Sequence, residues 1–380
     1  MTMPETLLIL DDQPEVTELL ARTLASPGRT IITAHDCEAA SLILERVPVA
    51  LLISDVHFST RFAFEGLSLI DEVRKSSPAT RILMISADSS EGLSREAERR
   101  GAVGLMEKPF DVPLLKQAVA SLVEGCHRNG EASSVIRVPL LERLILERRI
   151  LPHFQPIVDL SIPEARAYGF ESLARPQVEG VPFFDCDFLF KYAERKQMIV
   201  ALDLLCLQQA LWWGAPLARA GKLFINIHPQ LLSGCAELSS VVLGCARKSD
   251  IPLGNIVLEI TEQGRLAETA GSLACIETLR DAGVQFALDD VGMSYSHLDL
   301  MDWIKPSYLK ISQHFGTRFE LDSSKGKIVR NIVSLATEFD CEVILEGIEE
   351  VTTSGAATRA GARFGQGFYY ARPQTAATFQ

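Results

Sequence analysis

The sequence lacks two features that would set its class at once: a CxxC pair and a long apolar run. The eight cysteines lie mostly within apolar helical or strand patterns, so we expect reduced thiols in a cytoplasmic protein and neither a disulfide framework nor a zinc site. The longest apolar region, Met198 to Trp213, is interrupted by Asp203, Gln208 and Gln209. No membrane-spanning helix is therefore expected.

The chain also lacks an excess of basic residues. Its formal net charge is −12, so DNA or another nucleic-acid backbone is not expected as a general partner. An anionic substrate requires metal ions or a local Lys/Arg cluster to offset that charge. Only Leu7 to Leu10 precede the first acidic pair, which is too short an apolar segment for a signal peptide. With 380 residues, 47% of them apolar, the chain can form two or three domains that each bury a core.

Residues 6 to 124 alternate between strand and helix patterns. Short apolar runs predict five buried strands at Leu7–Leu10, Ile31–Ala34, Leu51–Ser54, Ile82–Ile85 and Gly104–Met106. Helical patterns cover 14–25, 36–46, 65–75, 90–100 and 111–123. Five βα units of this size predict a flavodoxin-like, doubly wound five-stranded parallel sheet.

Polar residues fall at the carboxyl ends of four of these strands: Asp11 and Asp12, Asp55, Ser86 and Lys108. In a parallel sheet these ends share one edge, where functional residues gather. Three carboxylates there can bind one divalent cation, and a hydroxyl with an ammonium group completes a pocket for a phosphoryl group.

These segments resemble the receiver domain of two-component response regulators. The segments LILDDQP, MISAD and MEKPF and the strand-ending Asp55 stand in that family's order and spacing. The resemblance implies that Asp55 accepts a phosphoryl group from a sensor histidine kinase. It also implies that Asp11 and Asp12 hold one Mg²⁺ beside Asp55, that Ser86 contacts the phosphoryl oxygens and that Lys108 pairs with them.

The receiver resemblance has two departures. The segment after Asp55, VHFSTRFAFEG, is longer than the family's loop and lacks its proline, and Leu105 stands where the family often has an aromatic residue. A receiver fold that only mediates dimer contacts is therefore the alternative reading of this region.

A segment rich in small and polar residues, CHRNGEASSVIRV, follows and predicts a domain boundary. We expect a receiver domain over 1–125, a linker over 126–137 and a second domain over 138–380. The second domain begins with a helical stretch, Pro139 to Arg149.

The second domain reads as eight strands, most of them separated by helices. The predicted strands are His153–Val158, Tyr168–Leu173, Leu223–Ile227, Val257–Thr261, Gln285–Leu288, Tyr308–Ile311, Glu342–Leu345 and Phe364–Tyr370. Predicted helices cover 186–196, 201–219, 235–248, 266–282 and 325–339. This pattern predicts a TIM-like (β/α)₈ barrel.

Polar residues again mark the strand ends. They are Gln155, Glu171, Asn226, Glu259, Asp289, Asp290, Lys310, Glu346 and Gln366. Polar side chains in apolar strands are costly unless they share a site, and a barrel brings all eight strand ends to one rim. The carboxylate and amide oxygens suit Mg²⁺ or Mn²⁺ rather than zinc. Two ions bridged by Asp289 would use all the carboxylates, and paired ions serve phosphodiester hydrolysis.

These motifs resemble the EAL-domain phosphodiesterases, which hydrolyse cyclic di-GMP to linear pGpG. The motifs GFESLAR, FINIHP, LEITE, ALDDVG, YLKIS, LEGIEE and GQGFYYARP follow the family's order across 138 to 380, with Ser172 in place of the signature alanine. The resemblance implies a cytoplasmic enzyme with two Mg²⁺ or Mn²⁺ ions and a tendency to form homodimers or higher homo-oligomers.

The EAL resemblance also assigns roles to single residues. Glu171, Asn226, Glu259 and Asp289 would bind the first metal, and Asp289 and Asp290 the second. Lys310 and Glu346 would position or activate the attacking water. Gln155, Leu173, Arg175 and Gln366 would contact the ligand. Glu262 would brace the loop after Asp290, and Glu349 would support the second-metal side.

That loop departs from the family. The usual DDFGTGYSSL reads DDVGMSYSHL here, so Val291 replaces an aromatic residue, Met293 a threonine and Ser294 a glycine. If position 294 needs a positive φ, serine costs on the order of 1 kcal/mol there. The alternative function is therefore a weakly active or inactive barrel that binds cyclic di-GMP as a receptor or serves as a protein-interaction module.

Overall fold

The computed structural model describes residues 5–58, 65–87, 90–109, 111–123, 133–162, 164, 166–260, 270–292, 297–316 and 323–379. They form two compact units. The first consists of the described residues up to Glu147 together with Val178–Gln197. The second consists of Arg148–Gln177 and the described residues from Met198 onward.

The first unit is a parallel sheet with helices. Its strands are β1 (Thr6–Leu10), β2 (Thr30–Ala34), β3 (Leu51–Asp55), β4 (Arg81–Ser86), β5 (Gly104–Glu107) and β6 (Ser134–Arg137). Its helices are α1 (Pro14–Leu24), α2 (Cys37–Arg46), α3 (Glu65–Ser76), α4 (Glu91–Arg100), α5 (Val112–Val123), α6 (Leu141–Leu146) and α7 (Cys186–Arg195). The strand order is β5-β4-β3-β1-β2-β6, and all pairs are parallel.

The predicted five-stranded sheet is confirmed, and a sixth strand extends it. β6 lies inside the predicted linker and pairs in parallel with β2. Without β6, β2 would be an edge strand with unpaired backbone groups. The added strand also partly buries two apolar side chains, Val135 and Ile136. The small polar residues around this pair concealed the strand in the sequence.

The second unit is a closed eight-stranded barrel. Its strands are β7 (His153–Asp159), β8 (Ala167–Leu173), β9 (Lys222–Ile227), β10 (Ile256–Ile260), β11 (Gln285–Val291), β12 (Tyr308–Ile311), β13 (Glu342–Leu345) and β14 (Phe364–Gln366). Its helices are α8 (Ile199–Trp213), α9 (Ala215–Ala220), α10 (Gln230–Ser233), α11 (Cys235–Ser249), α12 (Ala270–Asp281), α13 (His297–Ile304), α14 (Gln313–Gly316), α15 (Ser324–Glu338) and α16 (Val351–Ala360). Short 3₁₀ helices cover Leu253–Asn255 and Ala376–Phe379.

The barrel differs from the sequence prediction in several places, and it contains four helices that were not predicted: α10, α13, α14 and α16. β7 is antiparallel to both of its neighbours, β8 and β14. The predicted helix 201–219 is two helices, because Pro216 in the first turn of α9 has no backbone N–H to continue the hydrogen bonds of α8 and its ring clashes with the preceding turn. The predicted strand to Tyr370 ends at Gln366, where Gly367 lies against the backbone of Ile348.

The barrel interior is built in layers that follow the two-residue period of the strands. One layer is an apolar cluster of Ile157, Phe224, Val257, Ala287, Tyr308, Ile344 and Phe364. Because side chains alternate between the two faces of a strand, the residues two positions further along also point inward. Along the parallel strands these are Asn226, Glu259, Asp289, Lys310, Glu346 and Gln366. In antiparallel β7 the same step runs backwards, from Ile157 to Gln155.

None of the described helices is long and apolar enough to cross a bilayer.

Candidate functional site

The polar layer of the barrel is organised around Lys310. Its side chain is fully buried, and its Nζ lies 2.8 Å from a Glu346 oxygen and 3.0 Å from a Glu259 oxygen. It lies 3.4 Å from a Glu171 oxygen and 3.6 Å from an Asp289 oxygen. Lys310 is the one lysine or arginine that the structure shows paired with these four carboxylates, so a single positive charge faces up to four negative charges.

Glu171 is held by hydrogen bonds from amide side chains on two other strands, β9 and β14. Asn226 Nδ2 donates to Glu171 Oε1 at 2.8 Å, and Gln366 Nε2 donates to Glu171 Oε2 at 2.6 Å. Gln366 Nε2 also lies 3.1 Å from Gln155 Oε1, and Gln155 Nε2 donates to the Ala371 carbonyl at 3.0 Å. These bonds fix the orientation of the Glu171 carboxylate at the C-terminal end of β8.

A β-bulge explains how two consecutive acids reach one site. Successive residues of a regular strand point to opposite faces. The register between β11 and β12 shifts between Leu288 and Val291, and Asp290 has a φ of 54°. This backbone is one that aspartate tolerates better than most residues. The Asp290 amide donates to Asp289 Oδ1 at 2.9 Å, and both side chains line the same cavity.

The pKa shifts follow from the burial of this charge. Burial raises the pKa of Glu259 well above its ordinary value and raises that of Asp289, although Lys310 opposes both shifts. Burial likewise raises the pKa of Glu346 to about 8. Burial also acts to raise the pKa of Glu171, but Lys310 with Gln366 and Asn226 outweighs it and lowers the pKa.

The pKa of Lys310 moves in the opposite sense to what burial alone would give. Burial lowers it, but the surrounding carboxylates outweigh burial and raise it well above the ordinary lysine value. Lys310 is therefore a fixed positive charge.

The polar layer opens into a cavity of about 280 Å³. Its lining includes Gln155, Glu171, Leu173, Asp289, Asp290, Glu346, Glu349 and Gln366, all of which the sequence predicts as site residues. Asn226, Glu259 and Lys310 join the lining residues through the hydrogen bonds and ion pairs given above. The structure thus brings eleven of the residues predicted for the barrel site into one connected group.

The group fits hard divalent cations. Oxygens of Asp289, Asp290 and Glu346 lie within 4.8 Å of one another. Glu259 Oε1 is buried and has no hydrogen-bond partner among the described residues, which is costly for a carboxylate oxygen. Oxygen-only ligands match Mg²⁺ or Mn²⁺, and a cation would supply the charge that Lys310 alone does not.

The remaining predicted residues are placed differently. Arg175 is half-buried, and its Nη1 donates to the Ala174 carbonyl at 2.8 Å; it does not belong to the cavity lining that the described residues define. Its ligand contact stays a prediction. Glu262 and the loop residues Met293 and Ser294 lie outside the described residues.

Sequence reasoning missed four residues of the cavity lining: Gln313, Gly347, Gly367 and Phe368. Gly347 has a φ of 70°, which favours glycine, and an added Cβ at Gly367 would lie 2.0 Å from the Ile348 carbonyl oxygen. The sequence motifs EGIEE and GQGFYY could have indicated these positions, because a glycine beside a predicted site residue marks a close backbone approach.

A second polar site lies at the carboxyl ends of β1, β3, β4 and β5 in the first unit. Lys108 Nζ lies 2.7 Å from Asp11 Oδ2 and 2.7 Å from Asp55 Oδ2. The Gln13 amide donates to Asp11 Oδ1 at 2.9 Å, and the Lys108 amide donates to the Ser86 carbonyl at 2.7 Å. Asp55 and Ser86 are buried, and Asp12 is half-buried beside Asp11. The structure brings Asp11, Asp55 and Lys108 into contact.

The pKa values of Asp11 and Lys108 in this second site are also shifted. Burial raises the pKa of Asp11, with Lys108 and the Gln13 amide opposing the shift. Burial lowers the pKa of Lys108, but hydrogen bonds to Asp11 and Asp55 outweigh it, and the net pKa is raised. Lys108 is therefore a fixed cation between two carboxylates, as a phosphoryl-binding pocket requires.

Two family models match the chain. The model of the EAL domain matches residues 140–373, and the model of the response regulator receiver domain matches residues 7–120. These ranges contain the polar layer of the barrel and the second polar site, respectively.

Relatives and solved structures agree with the EAL match. The cyclic di-GMP phosphodiesterase RocR of Pseudomonas aeruginosa is 23% identical over 400 residues, covering 96% of this chain and 95% of RocR. The EAL enzyme Bd1971, in its cAMP- and cyclic-di-GMP-bound form, is 25% identical with a TM-score of 0.57; the match covers 63% of this chain and 66% of Bd1971. The PaMucR phosphodiesterase in its c-di-GMP complex is 26% identical with a TM-score of 0.54, covering 61% of this chain and 100% of the PaMucR chain.

Proposed function

The chain belongs to the EAL-domain family and carries a receiver domain ahead of its EAL domain, and from this premise we propose that it is a phosphodiesterase that hydrolyses cyclic di-GMP to linear pGpG. The observation that carries the proposal is the buried layer in which Lys310 faces Glu171, Glu259, Asp289 and Glu346 at the floor of an open cavity. RocR supports the choice of substrate, because it matches this chain over nearly its whole length.

The residues present suit two divalent cations. Glu171, Asn226, Glu259 and Asp289 would hold the first, and Asp289 with Asp290 the second, as the sequence resemblance implies. When bound, Mg²⁺ or Mn²⁺ would supply Lewis-acid polarisation of the phosphodiester and lower the pKa of a bound water.

The side chains of the chain itself then have three tasks. The Glu346 carboxylate lines the cavity and takes the proton of the attacking water, while Lys310 Nζ, 2.8 Å away, keeps that carboxylate in place. Gln366 and Asn226 orient Glu171 through their hydrogen bonds. The water oxygen bonds to phosphorus, the bond from phosphorus to the ribose 3′ oxygen breaks, and that oxygen takes up the proton that Glu346 accepted from the water, giving a linear dinucleotide with a 5′ phosphate.

The receiver domain is proposed to control this hydrolysis. Asp55 would accept a phosphoryl group from a sensor histidine kinase, with Asp11 and Asp12 holding one Mg²⁺ and Lys108 and Ser86 contacting the phosphoryl oxygens. The 2.7 Å contacts of Lys108 with Asp11 and Asp55 support this assignment. Self-association into a homodimer or higher oligomer stays a prediction of the sequence.

A receptor that binds cyclic di-GMP without cutting it is the second candidate function. The observation that favours it is the loop sequence after Asp290, which differs from that of the family. This loop begins at Val291, which is buried in β11. Against it stands the complete set of acids and amides around Lys310.

One experiment separates the two functions. Purified full-length protein is incubated with cyclic di-GMP and Mg²⁺ or Mn²⁺, and pGpG is quantified by chromatography beside the Glu346→Gln variant. The phosphodiesterase predicts pGpG from wild type and ligand binding without turnover from the variant. Binding by both proteins with pGpG from neither establishes the receptor.

A further inference from the structure

We propose that Gln313 binds the phosphodiester of cyclic di-GMP that is not cut, by donating a hydrogen bond from its side-chain amide to a non-bridging oxygen. The inference rests on the proposed function and deepens it, because it assigns the second phosphodiester of the substrate to a residue of the cavity. Gln313 lines the cavity and is exposed. It is a neutral residue in a lining that is otherwise rich in carboxylates.

Close backbone contacts fix Gln313 beside Glu346. Gln313 is the first residue of α14, and an added Cβ at Gly347 would lie 2.9 Å from the Gln313 Cα atom. An added Cβ at Gly316, the last residue of α14, would overlap the Glu346 carbonyl oxygen. The Glu346 amide also donates to the Ile311 carbonyl at 3.1 Å. The backbone of Gln313 is therefore set next to the proposed base before any ligand binds.

The charge of the cavity decides which groups can hold a second phosphodiester. A cyclic dinucleotide has two phosphodiesters, and each carries a negative charge. Metal ions at the acids would neutralise the one that reacts, but the other lies away from the reacting centre and needs hydrogen-bond donors of its own. An ionised carboxylate only accepts hydrogen bonds. The charged residues of the lining are all acidic: Glu171, Asp289, Asp290, Glu346 and Glu349.

Three side-chain amides line the cavity, and two of them serve the polar layer. Gln366 Nε2 donates to Glu171 at 2.6 Å and to Gln155 Oε1 at 3.1 Å. Gln155 Nε2 donates to the Ala371 carbonyl at 3.0 Å. Within the described part of the chain, Gln313 is the lining amide outside these hydrogen bonds. Its N–H groups suit a phosphate oxygen, because a hydrogen bond to an ionised acceptor is stronger than one between neutral groups.

The test compares three substitutions that differ in charge at position 313. Gln313→Ala, Gln313→Glu and Gln313→Lys are made in the full-length Glu346→Gln protein, and calorimetric titration with cyclic di-GMP and Mg²⁺ then measures binding without turnover. Gln313→Ala should raise the dissociation constant about tenfold, because one hydrogen bond to a charged group is lost. Gln313→Glu should raise it at least about thirtyfold, because a carboxylate of nearly the same shape repels the phosphodiester. Gln313→Lys should bind at least as tightly as the parent protein.

His314→Ala in the same parent protein is the matched control. His314 is the next residue, is also exposed, and packs its ring edge-on against Phe315 rather than lining the cavity. Its substitution should leave the dissociation constant within about twofold of the parent value, and thermal denaturation checks that every variant folds. Binding by Gln313→Glu that is as tight as binding by Gln313→Ala overturns the proposal, and so do equal losses at positions 313 and 314.

A substrate with a single phosphodiester separates the uncut group from the reacting one. Bis(p-nitrophenyl) phosphate contains only the phosphodiester that is cut. In protein that retains Glu346, Gln313→Ala should lower kcat/KM for cyclic di-GMP at least about fivefold more than kcat/KM for this small substrate. Equal losses for the two substrates would mean that Gln313 acts at the reacting centre or on the fold, and would overturn the assignment.

The inference and the proposed function can fail separately. If wild type forms no pGpG, hydrolysis is wrong, and the order of the dissociation constants still decides whether Gln313 holds a phosphodiester. If wild type forms pGpG but the dissociation constants of the three variants do not follow the charge at position 313, only the assignment of Gln313 is wrong.

Discussion

At the scale of single residues, Lys310 supplies positive charge to the four carboxylates of the barrel site. Bringing an ion into a protein interior costs several kcal/mol, and the cost is recovered only through close partners. Four carboxylates within 3.6 Å provide them. No single residue of this group was decisive in the sequence, because a lone acid at a strand end is usually a solvated rim residue. Their common inward position became visible only with the barrel.

Replacing Lys310 with methionine removes the one cation from this group. We expect Lys310→Met to lower kcat about 10²- to 10⁴-fold. Glu346 takes the proton of the attacking water, and the variant lacks the ammonium group that holds the Glu346 carboxylate in place. Steady-state hydrolysis of cyclic di-GMP measures the loss. Lys222→Met is the control: Lys222, also on a barrel strand, bonds Gln285 and the Gly254 carbonyl outside the site. A Lys310→Met enzyme within threefold of wild type would contradict the role given to Lys310.

Asp203 makes the stability of the protein depend on pH. It is buried in α8 and accepts a hydrogen bond from the His228 amide at 2.6 Å, and burial raises its pKa to about 7. Because the folded state holds the proton more tightly than the unfolded chain, this group destabilises the protein as pH rises from about 4 to about 7. The loss amounts to at most about 4 kcal/mol.

Asp203→Asn keeps the acceptor oxygen and removes the titration. The variant should therefore gain stability relative to wild type between pH 5 and pH 8, measured by urea denaturation at each pH. The exposed residue Asp281 provides the control, since Asp281→Asn should give a difference from wild type that changes little with pH. A constant difference between Asp203→Asn and wild type across this range would show that Asp203 is ionised throughout.

At the scale of elements, apolar periodicity predicted the five strands of the sheet and the eight of the barrel, and most helices to within a few residues. What it missed depends on contacts between distant segments. The bulge in β11 arises from pairing with β12, and the antiparallel direction of β7 from pairing with β8 and β14. The added strand β6 follows from the open edge of β2. Local pattern carries little of this information.

Helix α7 is tied to α2 through Asp36, which also caps the N-terminus of α2 by accepting from the Ala39 amide. The Tyr192 hydroxyl donates to the Asp36 carboxylate, and Lys196 Nζ lies 3.1 Å from it. Tyr192→Phe removes one hydrogen bond to a buried carboxylate, which costs about 1–3 kcal/mol. Amides of α7 should therefore exchange hydrogen at least about five times faster than in wild type.

Lys191→Met on the same helix is the comparison for Tyr192→Phe. Lys191 forms an exposed ion pair with Asp187, and such pairs contribute little. Exchange rates that rise equally in both variants would mean that the bond to Asp36 does not hold α7 in place.

At the scale of the whole molecule, the chain runs from the first unit into the second at residue 148, returns at 178 and leaves again after 197. The sequence predicted the order of a receiver and a barrel domain correctly. It did not indicate that α7, which lies within the match to the EAL family, packs in the first unit through contacts with α2. Contacts of this kind depend on individual side chains, such as Tyr192, whose partner Asp36 is 156 residues away along the chain and cannot be predicted from local spacing.

Phosphorylation should act at Asp55. A small-molecule phosphodonor with Mg²⁺ is expected to label wild type but not Asp55→Asn, because the carboxylate beside Lys108 is the acceptor. The labelled protein should differ from the unlabelled protein in its rate of cyclic di-GMP hydrolysis. Asp71→Asn, an acid paired with Arg100 on the surface of the same unit, should be labelled like wild type. Labelling that changes neither turnover nor oligomeric state would remove the regulatory part of the account.

The acids around Lys310 are proposed to form a metal-dependent site for cyclic di-GMP hydrolysis. The most direct measurement is the rate of pGpG formation by the purified full-length protein as Mg²⁺ or Mn²⁺ is titrated into a chelator-treated sample. We expect no product without metal, a rate that rises to saturation with metal, and no product from Glu171→Gln at any metal concentration. Product formation that persists in excess chelator, or a wild type that binds cyclic di-GMP but never yields pGpG at saturating metal, would contradict it.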